Sequence, residues 1–313
     1  MRIVGRGAAL LILAAGLVPA PVPARAQNFG LGLTTQDSNK PINIEADQGI
    51  EWQQNNRVYI ARGHAKATRG QATVFGDTLM AYYRPVVHPS AGTSDAAPAH
   101  TAPAGSSDPI GGNSTEIYRL EAIGNVRIAT ETQTVYGDHA VYDVDRTLLV
   151  VTGKNLRLET PRDTLTARDS LEWYDDKQLA VARGDAVAVR EGKRLRGDVL
   201  TATVTRTPNE ASHINRVDAQ GNVLVSSQDQ IARGDAGVYN VDTGIATITG
   251  RVTLTRADNE LRGQYAVVDL NNNVSRLLSA PPSTQLTEGK PARVQGLLVP
   301  RQKPAAPPAA PAQ

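Results

Sequence analysis

The chain has 313 residues, with 33 lysines and arginines against 31 aspartates and glutamates, and it contains no cysteine. Without cysteine the protein has no disulfide, no thiol nucleophile and no thiolate metal ligand. The near balance of charge gives no general attraction to nucleic acid, because that attraction depends on a surplus of lysine and arginine facing phosphates.

Residues 1–26 have the composition of a secretory signal peptide. Arg2 and Arg6 make a basic start, an apolar run extends from Ala8 to Val18, and small residues follow at Ala24-Arg25-Ala26. The apolar run is about half as long as the ~20 residues that a membrane-spanning helix needs. We therefore expect this segment to be removed on export.

Two later stretches have low-complexity composition. Residues 85–114 are dominated by Pro, Ala, Gly, Ser and Thr, and residues 300–313 by Pro and Ala. Such compositions bury too little apolar surface to offset the entropy of ordering the chain. We expect a disordered insertion and a disordered tail, with one continuous domain over residues 40–299.

Glycines within this domain recur at regular distances, which indicates an internal repeat. The first series comprises Gly63, Gly124, Gly153, Gly184, Gly221 and Gly250. The second series lies 13 residues after members of the first and comprises Gly76, Gly137, Gly197, Gly234 and Gly263. Only the unit that starts at Gly153 lacks its second glycine. We expect the glycines to supply positive φ angles or bends where strands turn corners.

Apolar and polar residues alternate within each unit, which is the period of a β-strand with one buried face. The third, fifth and seventh positions after a second-series glycine are apolar, as in Ala140, Tyr142 and Val144. One such unit cannot close a core alone, so neighbouring units must stack and share one. The sequence therefore predicts an all-β fold, an elongated, twisted open jelly-roll or solenoid-like stack of about six strand repeats of ~30 residues.

Residues with catalytic or metal-binding chemistry are present but not suitably spaced. The histidines lack the short spacing of metal sites, and they are His64, His88, His100, His139 and His213. The recurring aspartates are too far apart for calcium-binding β-rolls, so we expect them to bond the backbone at bends; they are Asp77, Asp138, Asp198 and Asp235. We predict no catalytic residue, no metal and no cofactor.

Three motifs resemble a known family. They are the opening Pro41-Ile42-Asn43-Ile44-Glu45-Ala46-Asp47, the Ala-x-Gly-Asn-Val pieces at 122–126 and 219–223, and the Gly-Asp-x-Ala-x-Tyr piece at 137–142. Together they look like the organic-solvent-tolerance (OstA-like) domain of lipopolysaccharide-transport proteins. The resemblance covers nearly all of residues 40–298, and it is greatest to the periplasmic bridge proteins of that family.

The resemblance implies a V-shaped β jelly-roll in the periplasm, whose apolar interior holds the acyl chains of lipopolysaccharide. It also implies head-to-tail self-association and two partners, an inner-membrane lipopolysaccharide extraction complex and an outer-membrane translocon. The candidate lipid-groove residues are Val126, Ile128, Ala140, Tyr142, Leu200, Ala202, Val223, Val225, Val252, Leu254, Ala266 and Val268. The candidate end-to-end contact residues are Ile42, Ile44, Leu297 and Val299.

Two other functions remain open from the residues alone. An apolar stripe also suits a structural or adhesive β-solenoid with a filled core. A polysaccharide-acting enzyme on a solenoid needs only a few carboxylates from distant turns, although no motif here pairs an acid with a base. Basic residues near strand ends, such as Arg119, Lys154 and Arg183, suit either lipid phosphates or a solvated face.

Overall fold

The structure is a computed structural model that describes residues 42–85, 115–205, 213–228, 230–272, 274–280 and 293–297. The expected signal peptide, almost all of the expected insertion and the expected tail lie outside these ranges. The described residues form one 18-stranded sheet with antiparallel pairing and no helix, which confirms the all-β prediction. The strands are β1 (Asn43–Glu45), β2 (Gly49–Gln53), β3 (Val58–Arg69), β4 (Ala72–Pro85), β5 (Thr115–Ala129), β6 (Thr134–Asp143), β7 (Leu148–Thr152), β8 (Leu156–Glu159), β9 (Asp163–Ala167), β10 (Ser170–Tyr174), β11 (Leu179–Arg190), β12 (Lys193–Thr205), β13 (His213–Ser226), β14 (Gln230–Asn240), β15 (Ile245–Arg256), β16 (Asn259–Asp269), β17 (Val274–Leu278) and β18 (Gln295–Leu297).

Strand pairing divides the sheet into two halves, because the long strands bend near their centres and contribute to both. Half A runs in the order β1, β3, β4, β5, β6, β8, β9, β11, β12, β13, β14, β15, β16 and β18. Half B runs in the order β2, β3, β4, β5, β6, β7, β10, β11, β12, β13, β14, β15, β16 and β17. The apolar faces of the two halves pack against each other across the interior.

First-series glycines form the corners between the halves. Gly124 has a φ of 76° and the next residue, Asn125, has a φ of 47°. Two successive residues in the left-handed region turn the strand sharply, and the register of β5 and β6 shifts at this point. The expected role of the first series is confirmed. The same pair of positive φ angles occurs at Gly63-His64, Gly184-Asp185, Gly221-Asn222 and Gly250-Arg251.

Second-series glycines have a different role from the one expected, because none of them has a positive φ. Each is paired with an inward residue near a corner, as Gly137 is with Val126. A β-carbon on Gly137 would lie 2.5 Å from Cγ1 of Val151, and one on Gly234 would lie 2.3 Å from Cγ2 of Ile248. At Gly137 and Gly234, the absence of a side chain therefore provides space for the close approach of a neighbouring side chain.

The recurring aspartates form hydrogen bonds between neighbouring strands at the corners. Asp138 Oδ2 accepts a hydrogen bond from the backbone nitrogen of Lys154 at 2.8 Å, as expected of a bend. Asp77 and Asp198 instead accept from the side chains of Asn125 and Asn222, both at 2.9 Å. The corner aspartates thus bond to the residue that follows the next first-series glycine along the chain.

Two parts of the fold are equivalent in sequence and in structure. Ile50-Glu51-Trp52 in β2 and Leu171-Glu172-Trp173 in β10 occupy the same place in successive parts of half B. Glu51 pairs with Arg62 at 2.7 Å, and Glu172 pairs with Arg183 at 2.8 Å. The two strands differ in their neighbours. Among the described strands, β2 pairs only with β3, whereas β10 lies between β7 and β11.

Candidate functional site

An open apolar cleft lies between the two halves near their N-terminal edge. Its empty space, which is continuous with solvent, is about 780 Å³. Half A contributes Ile44, Ala67, Val74 and Ile128 to the lining, and half B contributes Tyr59, Leu79, Leu120, Tyr142 and Leu149. Aliphatic walls of this kind suit fatty-acyl chains better than sugars, which stack on aromatic platforms.

Three aromatic side chains lie together at the N-terminal end of this cleft. The ring of Trp52 stacks on that of Tyr59 with centroids 5.7 Å apart, and Tyr59 contacts Tyr83 at 5.1 Å. Trp52 Nε1 donates a hydrogen bond to the hydroxyl of Tyr83 at 2.8 Å. Trp52 is nevertheless 49% exposed, since no described strand covers the outer edge of β2.

Tyr142 is the most deeply buried polar group in the lining named above. Burial raises the pKa of its hydroxyl, as does the nearby carboxylate of Asp175, whereas the guanidinium of Arg69 lowers it. The net effect is a raised pKa, so the hydroxyl stays protonated near neutral pH. Tyr142 is therefore a neutral hydroxyl group in a wall that is mostly apolar.

Two further pockets meet near the middle of the chain. An apolar pocket with about 510 Å³ of empty space has Val135, Leu158, Leu165, Trp173 and Ala180 in its wall. A polar pocket lies beside it, with about 840 Å³ of empty space that is continuous with solvent, and its lining includes Thr132, Thr160, Arg162, Asp163 and Arg190. Gln133 lines both pockets, and it is only 7% exposed.

All twelve predicted groove residues lie in strands on inward-facing positions. Ala202 and Val225 are half-buried, and the other ten are buried. Ile128, Ala140 and Tyr142 line the N-terminal cleft, while Val225 and Val268 line a smaller pocket. The remaining seven lie along the packed interior of β5, β12, β13, β15 and β16. The alternation of apolar residues thus identifies the inner face of the sheet. It does not distinguish residues that line an open cleft from residues that are packed in the core.

The predicted end-to-end residues are in different environments. Ile42 and Ile44 are half-buried and line the N-terminal cleft, whereas Leu297 is 64% exposed in β18. Val299 lies outside the described residues. Sequence reasoning missed Ile50 and Trp52, the most exposed large apolar residues of β2. The internal repeat could have identified them, because the equivalent residues Leu171 and Trp173 lie in an internal strand.

Charged side chains of the sheet pair mainly with one another on its outer face. Arg183 pairs with Glu172, and Arg119 pairs with Glu121 at 3.2 Å. Among the described histidines, His139 lies 2.6 Å from Glu121 and His64 lies 3.0 Å from Asp47. In the described ranges, no group of three histidine, aspartate or glutamate side chains is placed to hold a metal ion.

Comparison with known protein families identifies the family of this chain. The model of the family described as LptA/(LptD N-terminal domain) LPS transport protein matches the chain twice, over residues 43–169 and 167–274. The chain belongs to this family of lipopolysaccharide-transport proteins. No curated protein matches it.

One solved structure to which the chain is similar is that of LptH from Pseudomonas aeruginosa, described as the LptA homologous periplasmic component of the conserved lipopolysaccharide transport device. The identity is 22% and the TM-score is 0.37, over 44% of this chain and 95% of that one. Within the described part of this chain, the structure contains no helical segment capable of spanning a bilayer.

Proposed function

We propose that this chain is a non-enzymatic periplasmic carrier of lipopolysaccharide, of the bridge type represented by LptA. The acyl chains of lipid A occupy the apolar cleft between the two halves, and the sugars remain toward solvent. Membership of the transport family supports the ligand class. The single observation that carries the proposal is the open cleft between the two halves, with aliphatic walls from both.

Burial of acyl chains in this cleft is physically favourable because apolar surface leaves water on both sides of the contact. Transfer of each methylene contributes about 0.8 kcal/mol. A single chain of lipid A therefore supplies enough free energy for a stable complex, provided that the cleft is open when the lipid arrives. The side chains of Leu79, Leu120 and Leu149 are placed to make this contact.

End-to-end assembly is the second part of the proposal, and one strand pair inside the sheet illustrates the contact expected between copies. Inside the sheet, β7 covers the edge of β10, with Val151 opposite Leu171 and Leu149 opposite Trp173. Leu171 is consequently 6% exposed, whereas its equivalent Ile50 in β2 is 51% exposed. An antiparallel strand from a second copy would cover β2 as β7 covers β10.

The opposite edge of the sheet offers a suitable partner strand. β17 pairs only with β16 among the described strands, and its Val274 is 47% exposed. β17 has the same direction in half B as β7, because the strands alternate along the whole sheet. Pairing of β17 of one copy with β2 of the next therefore preserves the alternation, and it produces an open filament.

We infer that the remaining partners are an inner-membrane complex that extracts lipopolysaccharide and an outer-membrane translocon that receives it. A passive groove contains no source of energy, so the work of extraction must come from such a partner. The free edges of β2 and β17 are the surfaces through which related β domains at either membrane would attach.

The proposal is tested by lipid analysis of the protein purified from its own envelope. Native mass spectrometry should find lipid A bound to the wild type and a clear loss of it in Leu120→Asp, because an unpaired carboxylate in an apolar wall is costly and draws in water. Val267→Asp is the matched control. Val267 is half-buried on the outer face of β16, where it is paired with Arg276. Both variants must keep the β circular dichroism of the wild type.

The outcome distinguishes the alternatives. Absence of lipid from the folded wild type would refute the carrier and favour a scaffold with a filled core, which the tightly packed β14–β16 region would suit. In that region Ile248 and Val252 are each 1% exposed. Recovery of trimmed polysaccharide would favour an enzyme instead.

A further inference from the structure

A row of cations crosses the outer face of half A, on the surface away from the cleft. Each residue of the row is directly opposite the next in the strand register, from Lys66 in β3 to Gln295 in β18. The row contains no carboxylate, and its cations are Lys66, Arg127, Arg157, Arg196, Arg233 and Arg262. Successive cations are two or three strands apart, which is about 10–14 Å. We call this set the basic row.

The basic row faces solvent because its neighbours along each strand face the interior. Val126 and Ile128, on either side of Arg127, are 2% and 1% exposed. Ala232, which precedes Arg233, is also 2% exposed. Successive residues of a strand point to opposite faces, so the cations lie on the outside of the sheet.

The corresponding row on the outer face of half B has the opposite composition. It runs from Glu51 in β2 to Arg276 in β17, and its carboxylates are Glu51, Glu121, Glu172 and Asp218. Each of them pairs with an arginine of the same face, as Asp218 does with Arg216 at 2.6 Å. The carboxylates of half B are thus neutralised within that face, so an excess of one charge is not a general property of this sheet.

Part of the positive charge of the basic row is not neutralised. Arg127 and Arg233 are exposed and form no ion pair with any described residue. The other cations of the row each have one carboxylate beside them, in the pairs Lys66–Glu45 at 3.3 Å, Arg157–Glu159 at 3.0 Å, Arg196–Asp185 and Arg262–Glu260. Exposed ion pairs of this kind are weak because water screens them, so an anionic ligand competes for the same cations.

Aromatic rings hold two of the cations in position. The guanidinium of Arg127 lies over the ring of Phe75, 3.9 Å from its centroid, and that of Arg157 lies over the ring of Tyr136 at 4.7 Å. Stacking on a ring restricts the planar guanidinium, whose N–H groups match a carboxylate in a bidentate arrangement. A guanidinium that is already oriented loses less freedom when a ligand binds.

The shape of the sheet favours a linear ligand over a flat one. Neighbouring strands of a sheet are rotated by about 20° relative to each other. Over the strands between Lys66 and Arg262 the basic row therefore turns around the long axis of the sheet. A flat bilayer meets only the cations that face one way, whereas a flexible linear polymer follows the whole row.

We propose that the basic row binds a linear glycan that carries carboxylates along its length. In the proposed periplasmic location, the cell wall is a polymer of this chemistry. Binding on the outer face of half A leaves the cleft free, so the protein holds to the wall while the cleft is occupied or empty. This inference goes beyond lipid carriage and does not depend on it, because the two surfaces lie on opposite sides of half A.

The test measures binding of the full chain to fluorescently labelled polygalacturonate, which has one carboxylate on each sugar, by fluorescence anisotropy. The affinity should fall as salt is added, because the contacts are exposed to solvent. Arg127→Gln and Arg233→Gln should each weaken binding about threefold, and the double variant about tenfold, since the two sites are far apart. Each variant must keep the β circular dichroism of the wild type.

Arg276→Gln is the matched control. Arg276 is exposed on the outer face of half B, opposite Val267, and it forms no ion pair with a described residue. Its substitution removes the same charge and should leave the affinity within about twofold. An equal loss in Arg276→Gln and Arg233→Gln would show that net charge alone decides binding, and it would overturn the assignment to the basic row.

Two further probes distinguish the remaining outcomes. Pullulan is a linear glycan without charge, and binding to it as tight as to polygalacturonate would overturn the role of the cations. Vesicles of phosphatidylglycerol that capture the wild type but not the double variant, without binding to polygalacturonate, would overturn the glycan in favour of a membrane surface. Lipid A binding by the double variant should equal that of the wild type, which separates this site from the carrier function.

Discussion

A β-carbon placed on Gly124 would lie 2.2 Å from the carboxylate Oδ2 of Asp77. The corner between β4 and β5 therefore closes only around a residue without a side chain, and its φ of 76° adds a second reason for glycine. We expect Gly124→Ala to lower the free energy of unfolding by about 3 kcal/mol, from positive φ and displacement of Asp77 together. Urea denaturation of the wild type and the variant measures this difference in the free energy of unfolding.

Gly192→Ala is the control for this change. Gly192 has a nearly identical φ of 78°, and nothing lies within 4 Å of a β-carbon built there. Gly192→Ala should lower the free energy of unfolding by only about 1 kcal/mol, because only the left-handed backbone conformation is unfavourable for alanine there. Equal losses in the two variants would show that the Asp77 contact does not constrain the corner.

The equivalent pairs Glu172–Arg183 and Glu51–Arg62 predict different pH dependence. Burial acts to raise the pKa of Glu172, but hydrogen bonds from Arg183, Ser170 and Tyr174 outweigh it, so the pKa lies below the usual 4.5. A depressed pKa contributes stability above the unfolded value, and this stability is lost as the pH falls through the folded value. Glu172→Gln should therefore lower the free energy of unfolding by about 1 kcal/mol at pH 7, and by progressively less as the pH falls below ~4.5.

Glu51→Gln provides the comparison for the same measurement. The Glu51 side chain is 51% exposed, against 11% for Glu172. Solvent screens an exposed pair, so Glu51→Gln should change the pH profile of unfolding much less. A profile for Glu172→Gln that runs parallel to that of the wild type from pH 7 to pH 3 would contradict this prediction.

Assembly through the free edges predicts that mass rises with concentration. Light scattering should show this rise for the wild type and its loss in Trp52→Lys and in Val274→Lys, because charged residues on edge strands oppose pairing. Gln220→Lys adds the same charge in the interior strand β13 and should not alter association. A strict monomer at all concentrations would exclude the bridge.

Removal of residues 86–114 should change stability little. Pro85 and Thr115 are directly opposite each other in the β4–β5 ladder, so a short turn can join them. Loop closure costs only ~0.6 kcal/mol for each doubling of length. Thermal unfolding of the deletion variant should occur at or slightly above the wild-type temperature, and a variant that does not fold would show that the segment packs on the sheet.

The sequence by itself determined the fold class and the inner face. Alternation places Ala140 and Tyr142 on one side of β6, because successive residues of a strand point to opposite faces. The spacing of glycines also identified the corners at Gly124 and Gly221, since few other residues adopt two successive positive φ angles. Both are local properties, set by a residue and its immediate neighbours.

Only the tertiary structure decided which inward residues face open space. Tyr142 lines the cleft while Val252 is packed at a corner, although both have the same alternating pattern. Their difference depends on the distance between half A and half B, and strands far apart in the sequence set that distance.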